Sequence, residues 1–299
     1  MDALTLPSFA KVNLFLEILG LRTDGYHELR TLFQTVSLHD ELHFTKTTRG
    51  IELQVEGMDL GPPENNLVYR AASLLAKRFL PGAGAGIRLT KRIPGGAGLG
   101  GGSSNAAVTL VGLSRLWGLP LGNRQLLPLA AELGADVPFF LVGGSALGLG
   151  RGDLIYPTTG PNVRWMIILY PGFTVSTAEA YSLLSSQLTL AEKCHKITSL
   201  CLLLPVRQGG ALHFFNAFEE TISGKHPEIR EVRECLLKSG ALAAQLSGSG
   251  SAVVGIYSSR AKAEWALSRI EQHSWKAYLV ERVDRAKYQR ILFSKKDAA

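Results

Sequence analysis

The sequence predicts an α+β protein of two domains, and three observations carry that expectation. A strand pattern at Gly86 to Ile93 runs straight into the glycine-rich stretch PGGAGLGGGSSNAA, Pro94 to Ala107, and an alanine-led helical pattern follows it. Pro157 to Pro161 gathers Pro, Thr, Thr, Gly and Pro, a run of chain-turning residues that places domains at 1–158 and 159–299. The second half mixes helical patterns with a β-α-β tail. With 46% hydrophobic and 19% charged residues in 299, the composition is globular and supplies enough apolar material for one large or two modest cores.

In chain order, Phe9 to Leu19 alternates apolar residues with Lys11 and Asn13 and reads as an early strand. A period of two puts Lys11 and Asn13 on one face, and a lysine there fits either an edge strand with a snorkelling head or a functional group. Asp24-Gly25 is a turn that presents Tyr26 and His27 side by side. Leu32 to Leu53 reads as two or three strands, and Pro62-Pro63 breaks the chain. Asn65-Asn66 caps a helix over Leu67 to Phe79, with Val68, Ala71, Ala72, Leu75 and Phe79 on one stripe. After the glycine stretch a helix starts at Ser103 or Ser104, both good N-cap types, and ends at Gly118 and Pro120.

A second helix spans Arg124 to Leu133 and leads into GADVPFF. Asp136 there is either a helix cap or a working carboxylate, because a carboxylate beside an apolar run needs a partner. Val142 to Arg151 reads as strand and turn, and Arg164 to Tyr170 as a buried strand. Thr177 caps a helix carrying Tyr181. Gln187 to Leu212 has no clear pattern beyond a short helix at LCLLLP. Asn216 to Ile222 and Pro227 to Lys238 read as helices. Ala241 to Gln245 and the strand after it flank a second glycine-serine loop, SGSGS, and a helix at Arg260 to His273 leads to a closing strand at Trp275 to Arg282.

The chemistry centres on the first glycine stretch. Glycine at that density weakens a helix or strand, but it lets backbone N–H groups turn inward and approach a ligand. A helix N-terminus following at once adds unpaired N–H groups and the positive end of the dipole, which together make a phosphate cradle rather than a linker. The lysine of a Walker A loop is missing after the glycines. Gly96, Gly98 and Gly101 satisfy the dinucleotide pattern formally, but no ribose-binding acid follows about 20 residues on, which disfavours a dehydrogenase.

The net charge of +7 fits an anionic partner. No Lys/Arg run of the length of a nucleic-acid tail occurs, so a basic RNA-binding module is the weaker reading and no nucleic acid is expected. Cys194, Cys201 and Cys235 match no zinc spacing and point to reduced thiols in a cytoplasmic protein. The first residues lack a signal-peptide pattern, and the absence of an apolar run of about 18 residues argues against a membrane span.

Five segments taken together, AKVNLFL (10–16), DGYHEL (24–29), PGGAGLGGGSSNAA (94–107), ADVPFF (135–140) and SGSGSAVVG (247–255), resemble the GHMP small-molecule kinases in order and spacing. The resemblance implies a ribosomal S5-like β-α-β N-terminal domain and a ferredoxin-like C-terminal domain. It implies ATP and Mg2+ as cofactors, with the metal ligands unassigned. It places ATP phosphates on Pro94, Gly95, Gly96, Ala97, Gly98, Leu99, Gly100, Gly101, Gly102, Ser103 and Ser104, and the adenine near Asn66, Leu67 and Lys91. It makes Asp136 the general base and Lys11 its charge partner.

With DGYH beside the first strand, the resemblance further implies a small-molecule acceptor, a cytidine diphosphate-linked methylerythritol phosphorylated at its 2-hydroxyl. Its cytosine would lie at Tyr26 and His27 with Tyr181 on the other face, and Asn13 and Thr177 would line the acceptor side. Homoserine and mevalonate kinases are the alternatives within the family, and the chain is expected as a monomer or homodimer. Phosphoryl transfer agrees with this assignment, since it asks mainly for positioning and charge neutralisation. An aspartate can take the attacking hydroxyl's proton, and a neighbouring lysine can neutralise developing charge.

Overall fold

The structure, a computed structural model, describes residues 2–187, 214–270 and 274–293. The patternless stretch 188–212 and the end of the expected helix at 271–273 lie outside them.

The first sheet is built on two long antiparallel strands, β1 (Ala3–Leu21) and β2 (His27–Thr47). β2 is one 21-residue strand where the sequence reads as broken. It serves two partners along one edge. Glu41 to Thr47 pairs with β4 (Gly84–Thr90), and Thr31 to Gln34 pairs with β5 (Ser145–Leu149). β3 (Ile51–Glu56) lies parallel to β4, as the crossover through helix α1 (Leu67–Phe79) requires. β6 (Leu154–Thr158) pairs with β5.

Asn66 caps α1, its Oδ1 accepting the Val68 N–H at 2.9 Å, and Val68, Ala71, Ala72 and Leu75 form the buried stripe. Helix α2 (Gly101–Leu116) is buried along most of its length, against β1, β2, α1 and α3 (Asn123–Leu133). It starts earlier than its serines indicate. Gly100 is the cap, in the left-handed conformation at φ 68°, and neither Ser103 nor Ser104 caps. Glycine adopts that conformation at little cost, so the helix can begin inside the glycine run.

The second sheet has the order β11-β7-β10-β9, from β7 (Trp165–Tyr170), β9 (Ala243–Leu246), β10 (Val253–Tyr257) and β11 (Lys276–Glu281). Its pairs are all antiparallel. Helices α5 (Thr177–Gln187), α6 (Glu219–Lys225) and α7 (Glu228–Lys238) stand between β7 and β9 in sequence, and α8 (Arg260–Ile270) between β10 and β11. This is the ferredoxin-like arrangement.

Two segments depart from the expected division. Asn216 ends a two-residue strand, β8 (Phe215–Asn216), that pairs parallel with β1, and the helix there begins only at Glu219. β11 is not the last element. Helix α9 (Arg285–Phe293) returns to the first domain, where fully buried Tyr288 donates its hydroxyl to the Phe140 carbonyl at 2.5 Å. A further apolar cluster joins the sheets, with Ala10, Val12, Leu14 and Leu99 packed against Met166, Ile168, Val254 and Ile256. The cleft described next is lined from both sides of that seam.

Candidate active site

A cleft of about 720 Å³ is lined by β1, the glycine stretch, the Gly25–His27 hairpin, Ala135–Asp136, Thr177 and Tyr181 of α5, and Gly248–Ser249. Residues far apart in sequence therefore face one space.

The floor is set by irregular pairing. The β1–β2 register shifts between Phe9 and Lys11 and again between Asn13 and Phe15, so Lys11 and Asn13 sit between two distortions. Such irregularities bend a strand and re-aim its side chains. Lys11 donates its backbone N–H to the Leu99 carbonyl at 3.0 Å, which ties the strand to the glycine stretch. Its Nζ donates to Asn13 Oδ1 at 2.6 Å and lies 3.4 Å from Asp136 Oδ2. Asn13 Nδ2 donates in turn to Thr31 Oγ1 at 2.7 Å. Lys11 is buried in a strand with neighbours on both sides, so the snorkelling edge-strand reading is corrected. Asp136 lies in the turn between α3 and α4 (Phe139–Val142), with its side chain about one-third exposed to the cleft at 35%.

The glycine stretch meets the start of α2 as the cradle argument requires. Ser104 donates its N–H to the Gly100 carbonyl at 2.9 Å, so the N–H groups of Gly101, Gly102 and Ser103 precede the first intrahelical bond. These three residues line the cleft, as do Pro94 to Gly100. Ser104 is a correction: its hydroxyl is buried and accepts from Ser8 Oγ at 2.7 Å, and its N–H is committed to the helix. The second glycine-serine loop clamps the first. Ser247 Oγ donates to the Gly98 carbonyl at 3.0 Å, and Ala252 donates its N–H to the Ala97 carbonyl at 3.2 Å.

Of the expected adenine residues, Leu67 and Lys91 line the cleft. Asn66 lines a neighbouring cavity with residues Gly57 to Gly61, and its side chain is the cap of α1. The Lys91 ammonium is committed elsewhere, since it donates to buried Asp40 Oδ2 and to Asn105 Oδ1. Asp40 Oδ1 also accepts the N–H groups of Arg92 and Ile93 at 2.7 and 2.8 Å, and its Oδ2 accepts from Asn105 Nδ2 at 2.9 Å. The expected strand to Ile93 ends at Thr90, and this carboxylate locks the segment between it and the glycine stretch to the helix that follows. Asp40→Ala leaves the Lys91 charge buried without its partner, and the expected loss is about 3–5 kcal/mol. A chemical-denaturation curve checks it, and wild-type stability would deny Asp40 that role.

The aromatic side differs from expectation. Asp24 Oδ1 accepts the Tyr26 N–H at 3.1 Å and shapes the hairpin. The His27 and Tyr181 rings stack directly on each other, with centroids 4.7 Å apart and planes 26° from parallel. Tyr181 meets Phe218 edge-on at 4.9 Å. A flat base does not fit between His27 and Tyr181 in this state, so a sandwich using Tyr181 requires that pair to part. Burial pushes the His27 pKa below its ordinary 6.5, which favours a neutral imidazole at pH 7, and burial pushes the Tyr181 phenol well up. Thr177 Oγ1 lies 3.3 Å from Ser249 Oγ at the cleft edge.

Sequence reasoning passed over Thr31, Asp40, Asn105, Arg151 and Ser247. Ser247 and Ser249 sit in a loop whose composition was visible. Asp40, in the pattern LHDELHF, looks like a solvated face in sequence.

The model of the GHMP kinases N terminal domain matches residues 66–144, and that of the GHMP kinases C terminal matches 206–276. The chain is 36% identical over 295 residues to the 4-diphosphocytidyl-2-C-methyl-D-erythritol kinase of Alkaliphilus metalliredigens, covering 96% of this chain and 99% of that one. It is 42% identical over 260 residues to the enzyme of the same name from Marinobacter nauticus, covering 85% and 86%. A crystal structure of 4-(cytidine 5'-diphospho)-2C-methyl-D-erythritol kinase superposes with a TM-score of 0.78 at 35% identity, covering 93% of this chain and 99% of that chain. The homoserine kinase of Cytophaga hutchinsonii, at 20% identity and a TM-score of 0.69, shares the fold.

Proposed function

This chain belongs to the 4-diphosphocytidyl-2-C-methyl-D-erythritol kinases of the GHMP kinase family, and from that premise we propose that it transfers the γ-phosphoryl group of ATP to the 2-hydroxyl of 4-diphosphocytidyl-2-C-methyl-D-erythritol. Within the chain, the observation that carries the reading is the Lys11–Asp136 pair at 3.4 Å in a cleft walled by the glycine stretch on one side and the Tyr26 hairpin on the other.

The nucleotide's phosphates lie along Gly95 to Ser103, where the free N–H groups and dipole of α2 receive negative charge. The cytidyl group lies toward Tyr26 and His27. That leaves the acceptor alcohol between them, over Lys11, Asn13 and Asp136. Asp136 takes the proton of the attacking hydroxyl, and the Lys11 ammonium neutralises the charge gathering on the transferred group. Asn13 and Thr31 fix the direction of that ammonium through the bonds described above.

Among the described residues no group of three or more His, Cys, Asp or Glu side chains could hold a metal ion, and Asp136 is the carboxylate lining the cleft. That donor set does not form a protein-held magnesium site. Magnesium is therefore placed in the reaction as part of the MgATP substrate, and no step is derived through it.

Incubation with MgATP and 4-diphosphocytidyl-2-C-methyl-D-erythritol, followed by phosphorus NMR, tests the assignment. A new phosphomonoester on the erythritol moiety is expected. ADP release only with homoserine or mevalonate would keep the phosphate cradle and discard the cytidyl reading. Tyr26→Ala is expected to raise KM for the cytidyl substrate about 5- to 100-fold, the range of one lost base-stacking contact, and to leave ATP KM in place. An effect on ATP KM alone would reverse the two halves of the cleft.

A further inference from the structure

Tyr26 is 56% exposed, on a hairpin tip, in a cleft where the neighbouring rings of His27 and Tyr181 already cover each other. An exposed aromatic side chain is a poor platform for a base, because binding must first fix its rotamer. The structure supplies a brace. The Arg151 guanidinium lies over the Tyr26 ring, 4.8 Å from its centroid. Arg151 is itself pinned from the turn between β5 and β6: its Nε and Nη2 donate to Asp153 Oδ2 at 3.1 and 2.7 Å. Its backbone N–H reaches Asp153 Oδ1 at 3.3 Å. Arg151 and Gly152 both line the cleft. The hairpin and the β5–β6 turn are also joined by backbone, Leu29 donating its N–H to the Gly150 carbonyl at 2.8 Å.

We propose that Arg151 is a positioning residue for the acceptor's base: its guanidinium, fixed by Asp153, covers one face of the Tyr26 ring and leaves the other as a preorganised stacking surface for cytosine. The inference rests on the cytidyl reading above and names a determinant of that substrate's affinity. A planar guanidinium is suited to this role, because it stacks on a ring while keeping its in-plane N–H groups for a carboxylate. A lysine keeps the charge but cannot lie flat on the ring and hold Asp153 through two N–H groups.

A double-mutant cycle on the full chain tests it, with KM and kcat measured for both substrates in wild type, Arg151→Ala, Tyr26→Ala and the double variant. Arg151→Ala is expected to raise KM for the cytidyl substrate about two- to fivefold, the range for an exposed cation–π contact, with kcat and ATP KM within about twofold of wild type. Arg151→Lys is expected to recover only part of that loss. In the Tyr26→Ala background the Arg151 change is expected to have no further effect, since the brace then has nothing to hold.

Three results overturn the inference. An unchanged KM in Arg151→Ala removes the brace. A full and additive effect in the double variant makes Arg151 a direct ligand of the substrate instead. A parallel fall in kcat and melting temperature with both KM values disturbed marks an ordinary fold contact and also overturns it. Wild-type turnover with the cytidyl substrate separates these outcomes from failure of the functional reading, which would show as no turnover in any of the four proteins.

Discussion

Asp136→Asn is expected to lower kcat by roughly 10²–10⁴-fold while ATP KM stays within about threefold of wild type. The amide keeps the size and much of the hydrogen bonding of the carboxylate but cannot accept a proton. Asp136 pairs with Lys11, and its side chain is open to the cleft rather than built into a core. The change therefore bears on chemistry more than on folding. Lys11 keeps its 2.6 Å bond to Asn13 Oδ1 in the variant, so the ammonium is not left without a partner. Steady-state kinetics with the cytidyl substrate, alongside a melting curve, decide the matter. Turnover near that of wild type would take Asp136 out of the mechanism. A collapse of the melting temperature would make its pairing with Lys11 structural.

Gly98→Ala has the second large expected effect, and it probes the cradle without touching the proposed base. Gly98 sits at φ +75°, and an added Cβ would stand 1.9 Å from the Ser247 carbonyl oxygen and 3.1 Å from the Gly250 nitrogen. Both obstacles are backbone, so no side chain can swing away. Left-handed strain and overpacking together amount to about 2–5 kcal/mol. The two glycine loops must move apart, and with them the bond from Ser247 to the Gly98 carbonyl. ATP KM is expected to rise at least about tenfold, and the melting temperature to fall by several degrees. Gly118→Ala is the control: it has φ +69° but nothing within 4 Å of the new Cβ. That variant isolates the conformational strain, and it should lose only about 1–2 kcal/mol of stability and leave ATP KM alone. Equal effects from the two substitutions would show that the loop contact contributes nothing.

Local rules made much of this fold legible before any coordinates. The helix at Leu67–Phe79 starts and stops where its sequence pattern says, because an asparagine cap and a period of 3.6 are properties of a dozen adjacent residues. The glycine stretch declares itself for the same reason, since its backbone needs are written into its own composition. The ring pair at 26–27, the lysine and asparagine at 11 and 13, and the aspartate at 136 could be picked out one by one as residue types out of place in their segments.

That these residues share a cleft was decided only in three dimensions. The register shifts that re-aim Lys11 and Asn13 arise from the pairing of β1 with β2, a property of two strands together. Asp40 looks like half of a polar strand face until Lys91, Asn105 and two backbone N–H groups converge on it from the segment after β4 and from α2. Ser104 has the chemistry of a phosphate ligand, but the start of α2 at Gly101 turns its hydroxyl inward to Ser8. The closed stack of His27 on Tyr181 brings a hairpin of one domain against a helix of the other. Helix α9 has little amphipathic signal of its own and is held where Tyr288 fills the space beside Gly143 and Phe140. The sequence by itself determined the glycine stretch, the asparagine cap of α1 and which side chains stand out from their segments, because each depends on neighbours along the chain. The tertiary structure alone decided which of them meet, which are diverted into structural bonds, and how the two glycine loops close on one another, because those depend on contacts between segments that are distant in sequence.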